Sequence, residues 1–170
     1  VYNTRNDKIY TYTRDTSLTI INCDNDSIIR SIPNLFAIAL VYNFLQNEIY
    51  ASRRRAANWV VCIDGVRDSI TDSIYVGRRP PWLLTYNPIN NYLYYEVAET
   101  LMVIDCRLRS VIDSIYLPGS RHLLALDSLR NNIYAVTTSH DTVHVIDGWR
   151  NIIIERIPQG GFDRDWYRGS

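Results

Sequence analysis

The chain has 170 residues, of which 46% are apolar and 12% aromatic, enough for one buried core, too few for two large ones, and unlike a disordered chain. Eighteen Lys and Arg balance eighteen Asp and Glu, so no overall field recruits nucleic acid or a membrane, and any such role needs a local patch. Cys23, Cys62 and Cys106 form an odd set without C-x-x-C spacing, which argues against a zinc site and a disulfide framework and reads as three free thiols.

The first unit, 1–34, opens with "VYNTRNDKIY": a Tyr-Asn pair, a polar turn and an Ile-Tyr strand, the pattern of a hairpin. It continues as "IINCDNDSIIRSIP", a third strand running into a turn at Asn22 and a fourth strand ending at Pro33. The second unit, 35–78, repeats this order as "VYNFLQNEIY" and "CIDGVRDSITDSIYVG". Its opening "LFAIALVY" is the longest strongly apolar run in the chain, far short of the roughly 20 residues of a spanning helix. A soluble chain is expected. The third unit, 79–119, carries "TYNPINNYLY" and "VIDCRLRSVIDSIYLP", and the fourth, 120–158, carries "ALDSLRNNIY" and "VIDGWRNIIIERIP".

Tyr10, Tyr50, Tyr94 and Tyr134 are separated by 40, 44 and 40 residues, and the anchors Asn22, Asp64, Asp105 and Asp147 by 42, 41 and 42. Two blocks recurring in fixed order mark a structural repeat of four short strands, in which the tyrosines are structural. In the Ile-Asp-Gly turn the Asp side chain is expected to cap the turn and the Gly to take positive φ, so Cys23 and Cys106 stand where glycine would be easiest. Arg30, Asp72, Asp113 and Glu155 interrupt the apolar run of each fourth strand, as expected of an exposed edge that must resist pairing with other chains. All six prolines fall at strand ends or turns, and no helical periodicity of comparable length occurs.

Four antiparallel strands every 40 to 44 residues is the period of a β-propeller blade. "YNPINNYLY" followed by "VIDCRLRSVIDSIYLPG", and "NNIYAV" followed by "TVHVIDGWRNIIIERIPQG", resemble the YVTN-type β-propeller repeat. The resemblance covers essentially the whole chain. It implies an all-β propeller and an extracellular or cell-surface setting, and it implies no particular activity. Residues 159–170 then read as a closing strand. Pro33 to Tyr42, Gly77 to Tyr86 and Pro158 to Tyr167 are each nine residues apart, so 162–167 would supply another inner strand, with Trp166 and Tyr167 completing a first blade. Four units could close within one chain, but the bulky inner segments "FAIALVY", "WLLTY" and "HLLAL" suit a wider ring. A two-fold homodimer of eight blades, made by strand exchange at the termini, is the favoured expectation, ahead of a closed monomer and of a fragment of a longer propeller.

Alternation of strand direction places the loops between second and third strands on one face with the links between blades. That face collects Arg53, Arg54, Arg55, Arg78 and Arg79, with Trp59 and Trp82 nearby. Guanidinium forks suit carboxylate or phosphate, and an indole can stack on a guanidinium or a sugar. The expected ligand is an acidic protein or a polyanion. His122 and His140 fall in loops of this face, yet two imidazoles without carboxylates do not define a metal site. His144 reads as a packing residue, and "SHD" at 139–141 as a turn, since a catalytic triad requires spatial geometry. Paired catalytic carboxylates, a phosphate-cradling glycine loop and a nucleophile elbow are not found in the sequence. The expected function is a non-enzymatic binding or structural module without a cofactor. The alternative is a propeller enzyme of lactonase or quinoprotein dehydrogenase type. No signal-peptide pattern is seen, and the absence of an initiator Met fits a processed or trimmed precursor.

Overall fold

The computed structural model describes residues 1–12, 17–53, 59–77, 81–118, 122–137 and 142–158, with backbone alone at 122, 123 and 137. The expected closing strand at 162–167 lies outside the described residues, as do Arg54, Arg55, Arg78, Arg79 and His140. Within the described residues there are sixteen strands and no helix, and no segment forms a helix long and apolar enough to cross a membrane.

The strands form four antiparallel meanders in chain order. The first blade is β1 (Tyr2–Asn3), β2 (Lys8–Tyr12), β3 (Leu18–Asn22) and β4 (Ile28–Ile32). The second is β5 (Ala37–Asn43), β6 (Glu48–Arg53), β7 (Trp59–Asp64) and β8 (Ser69–Tyr75). The third is β9 (Leu84–Asn87), β10 (Tyr92–Val97), β11 (Thr100–Asp105) and β12 (Ser110–Tyr116). The fourth is β13 (His122–Asp127), β14 (Asn132–Thr137), β15 (Thr142–Asp147) and β16 (Ile152–Pro158). Strands β5, β9 and β13 lie beside one another at the inner ends of their blades. The outer strands β4, β8, β12 and β16 are largely exposed.

Side-chain alternation explains how the blades stack. In the second blade Ile49, Ala51, Val61 and Ile63 join Tyr10, Leu18 and Ile20 of the first. From the opposite face Tyr50, Val60, Cys62 and Ile74 join Leu93, Tyr95, Ile104 and Cys106 of the third. Tyr94, Leu101, Val103 and Ile115 then meet Ile133, Ala135 and Ile146 of the fourth. The middle strands of the second and third blades are thus buried on both faces and read as nearly continuous apolar runs. Each outer strand carries a register shift at the same place, opposite Ile20/Ile21, Cys62/Ile63, Val103/Ile104 and Val145/Ile146. The bulge and the exposed charges Arg30, Asp72, Asp113 and Glu155 disfavour edge pairing.

Two expectations need correction. The Asp caps form as expected, with Asp64 Oδ1 accepting from the Val66 and Arg67 amides at 2.8 Å. Positive φ, however, falls three or four residues later, on Asp26, Asp68, Arg109 and Asn151. Glycine stands at 65 and 148 because backbones approach there: a Cβ on Gly65 would come within 2.8 Å of the Asn47 carbonyl oxygen, and one on Gly148 within 2.6 Å of the Asn131 oxygen. The Gly65 and Gly148 amides donate to those carbonyls at 2.9 and 2.8 Å, whereas Cys23 and Cys106 donate to Asp7 and Asn91 at 3.1 Å. A side chain is admitted at the cost of a slightly wider approach. His122, expected in a loop, is instead the first residue of β13, paired with Thr137.

Candidate functional site

The face carrying the blade links and the β6–β7 connection holds the described part of the arginine cluster. Arg53, half-buried at the end of β6, turns inward: its Nε and Nη2 donate to the carbonyls of Leu35 and Asn34, each at 3.3 Å. It therefore anchors the link between the first two blades. Trp59 and Tyr75 are register partners at the start of β7 and the end of β8. Their rings meet edge to face with centroids 5.2 Å apart, and both are exposed. Trp82, in the link to the third blade, is 68% exposed. Trp59 and Tyr75 thus form an exposed aromatic pair at one corner of the second blade, and exposed aromatics are enriched at recognition surfaces.

One feature of this face was missed from the sequence. The β10–β11 connection is a two-residue turn, Ala98-Glu99, with Ala98 at φ 53. The exposed Glu99 accepts from Tyr116 Oη at 3.2 Å, and its carbonyl accepts from the Leu117 amide. The face thus carries an acid on the third blade. Its signal was the short gap between "YYEV" and "TLMV".

The opposite end of the blades holds a polar lattice that the sequence reading left as turns. In each Tyr-Asn turn the Asn accepts backbone amides of its own turn, as Asn43 Oδ1 does from Gln46 at 3.1 Å. Its amide nitrogen is then free to reach the next blade, Asn43 to Asn91 Oδ1 at 2.8 Å and Asn87 to Asn131 Oδ1 at 2.6 Å. The positive-φ asparagines donate back at the first two junctions, Asn47 to Asn6 Oδ1 at 2.8 Å and Asn91 to Gln46 Oε1 at 2.9 Å. At the third junction the corresponding atoms, Asn131 Nδ2 and Asn90 Oδ1, are buried without a partner, Asn90 having turned its nitrogen to the Gly148 carbonyl at 2.6 Å.

The repeated tyrosines lock the same junctions. Tyr10 donates to Asp68 of the next blade, which also takes Lys8 at 2.7 Å. Tyr94 donates to Asn151 at 3.0 Å. Tyr50 donates to Glu48 of its own blade at 2.8 Å, and Glu48 in turn pairs across the junction with Arg109 at 2.6 Å. Burial, reinforced by Asp68, pushes the Tyr10 hydroxyl well above its ordinary range. Burial likewise raises the Cys62 and Cys106 thiols to about 12. In the fold Tyr10 acts as a donor, and Cys62 and Cys106 as packing atoms of the core between the second and third blades. His144 is buried within β15. Among the described residues no group of three or more His, Cys, Asp or Glu is placed to hold a metal ion.

No known protein-family model matches the chain, and no curated protein matches it in sequence. Its fold is that of a β-propeller. Similar solved structures include the β-propeller domain of Cps50 (Swd1) from Myceliophteria thermophila, with a TM-score of 0.72 at 15% identity over 94% of this chain and 55% of that one. The structure of U3-55K matches with a TM-score of 0.75 at 12% identity, over 92% of this chain and 49% of that one. Hydrazine synthase of Kuenenia stuttgartiensis matches with a TM-score of 0.76 at 16% identity, over 88% of this chain and 45% of that one. The chain spans about half the length of these propeller-containing chains. The fold they share hosts both an enzyme and proteins not described as enzymes, so function must be argued from the site.

Proposed function

We propose that the chain is a non-enzymatic interaction module, built of YVTN-type blades, whose second blade recognises an acidic partner. The observation that carries this reading is the exposed, edge-to-face pair of Trp59 and Tyr75, with the exposed Trp82 in the following link and Arg54, Arg55, Arg78 and Arg79 close by in sequence. Aromatic surface gives contact area at small entropic cost, and arginine supplies the forks that carboxylates or phosphates accept. The buried carboxylates support a module over a catalyst. Glu48 and Asp68 are both engaged in holding one blade to the next, and a general acid or base must be at liberty to exchange its proton with substrate.

Heparin serves as a test polyanion. Replacing Arg54, Arg55, Arg78 and Arg79 by Ser should lower the salt concentration that elutes the chain from immobilised heparin and flatten the salt dependence of binding. Trp82→Ala should weaken binding at every salt concentration. Arg53 is left intact because it holds the interblade link. Unchanged elution in both variants would remove the assignment.

A further inference from the structure

The two ends of the blade array carry a junction that no described residue fills. Ile9 is 40% exposed, whereas its counterparts Ile49, Leu93 and Ile133, each covered by a preceding blade, are at 0%. At the far end Ile157 is 41% exposed, while Ile74 and Ile115, covered by a following blade, are at 2% and 6%. Tyr134 is half-buried where Tyr10, Tyr50 and Tyr94 are fully buried. Among the described residues, both ends are therefore interblade surfaces without the neighbouring blade.

The polar positions of these ends differ from the internal ones in a matched way. Along the internal junctions, the turn amide of one blade (Asn6 or Gln46) meets the positive-φ Asn of the next (Asn47 or Asn91), neutral group to neutral group. At the trailing end of the fourth blade the first position is Arg130, and at the leading end of the first blade the second is Asp7. A donor cation thus faces an acceptor anion in the same register. Asp127, in the place of Asn43, also falls opposite Asp7, and Arg130 already holds Asp127 at 3.0 Å while 73% of its side chain remains exposed. One guanidinium fork can bridge both carboxylates. The tyrosine lock matches as well. Asp26 occupies the place of Asp68, the acceptor for Tyr10, and would receive Tyr134.

We propose that the trailing face of the fourth blade docks the leading face of the first blade of a second copy of this chain, through Arg130 to Asp7 and Tyr134 to Asp26. Two such junctions related by a two-fold axis close a ring of eight blades with no interblade face left bare. A second copy is favoured by charge complementarity and by continuity with the three internal junctions.

The test is a charge-swap cycle read by light scattering across a range of concentrations. Wild type should show twice the 19.8 kDa of one chain. Arg130→Asp and Asp7→Arg should each raise the dissociation constant about tenfold or more, and the two together in one chain should restore it. Alkylation of Cys23 gives a second reading on the unmodified protein. It occupies the leading face in the place of Cys106, which is buried at 0% in its junction. Cys23 should be protected at high concentration and react on dilution, with Cys62 and Cys106 silent throughout. Three results would each overturn the proposal: a one-chain mass at all concentrations, a double swap no better than the single variants, or Cys23 protection independent of concentration.

Discussion

Gly65→Ala tests whether glycine is required in the Ile-Asp-Gly turn for space or for backbone conformation. The new Cβ would lie 2.5 Å from Asn3 Nδ2, 2.7 Å from Asn47 Oδ1 and 2.8 Å from the Asn47 carbonyl oxygen. The carbonyl cannot swing aside as a side chain can, so the two turns must separate. The turns that carry cysteine indicate how far this goes: their amide-to-carbonyl distance is 3.1 Å against 2.9 Å at Gly65. At Gly65 the crowding also reaches Asn3, a fully buried member of the lattice between the first two blades. Overpacking of a close contact costs about 1–3 kcal/mol, and loosening one buried amide bond about 1 kcal/mol more. A loss of about 2–4 kcal/mol is expected, a fall of about 1–2 M in the urea midpoint for a slope near 2 kcal/mol/M. Gly77→Ala provides the contrast. Gly77 sits at φ 91 with nothing within 4 Å of a built Cβ, so its cost is backbone strain alone, about 1–2 kcal/mol. A Gly65→Ala midpoint equal to wild type would refute the packing argument.

Asp68→Ala removes the acceptor shared by Tyr10 and Lys8. Lys8 keeps the Gly65 and Val66 carbonyls and some solvent, while the Tyr10 hydroxyl is left with the Gly65 carbonyl at 3.3 Å as acceptor, so a loss of about 2 kcal/mol in equilibrium unfolding is expected. Acid should destabilise the fold through the capping carboxylates. Backbone amides of Arg67 and Val66 hold Asp64 below its ordinary value, so the unfolded chain binds protons first. The stabilisation is present above about pH 4 and is lost as pH falls through the lower folded value. Melting temperatures between pH 5 and pH 2.5 should drop, and less steeply in Asp64→Asn. Thiol titration in denaturant without reductant should count three, since Cys23, Cys62 and Cys106 are all free, and a count of one would contradict this.

What could be read directly from the chain was whatever depends on local order. The Tyr-Asn and Ile-Asp turns recur with their capping side chains, strand alternation follows, and the period of the blocks is the period of a blade. The exposed charges of each fourth strand also carry their own meaning, because an edge is defined by what its side chains refuse. Neither the lattice of Asn3, Asn43, Asn87 and their acceptors nor the reason for Gly65 was legible in this way. Partners such as Asn43 and Asn91 are 48 residues apart, and nothing in either turn states that the other stands opposite. Asn47 and Asn91 look like ordinary turn residues until stacking brings the preceding blade within hydrogen-bond reach. Arg53 shows the same limit from the other side. Sequence places it in a basic cluster, and only the fold shows its Nε and Nη2 donating to the Leu35 and Asn34 carbonyls 18 and 19 residues before it. Composition fixes which groups are present, and only the packing of blade on blade decides which of them meet.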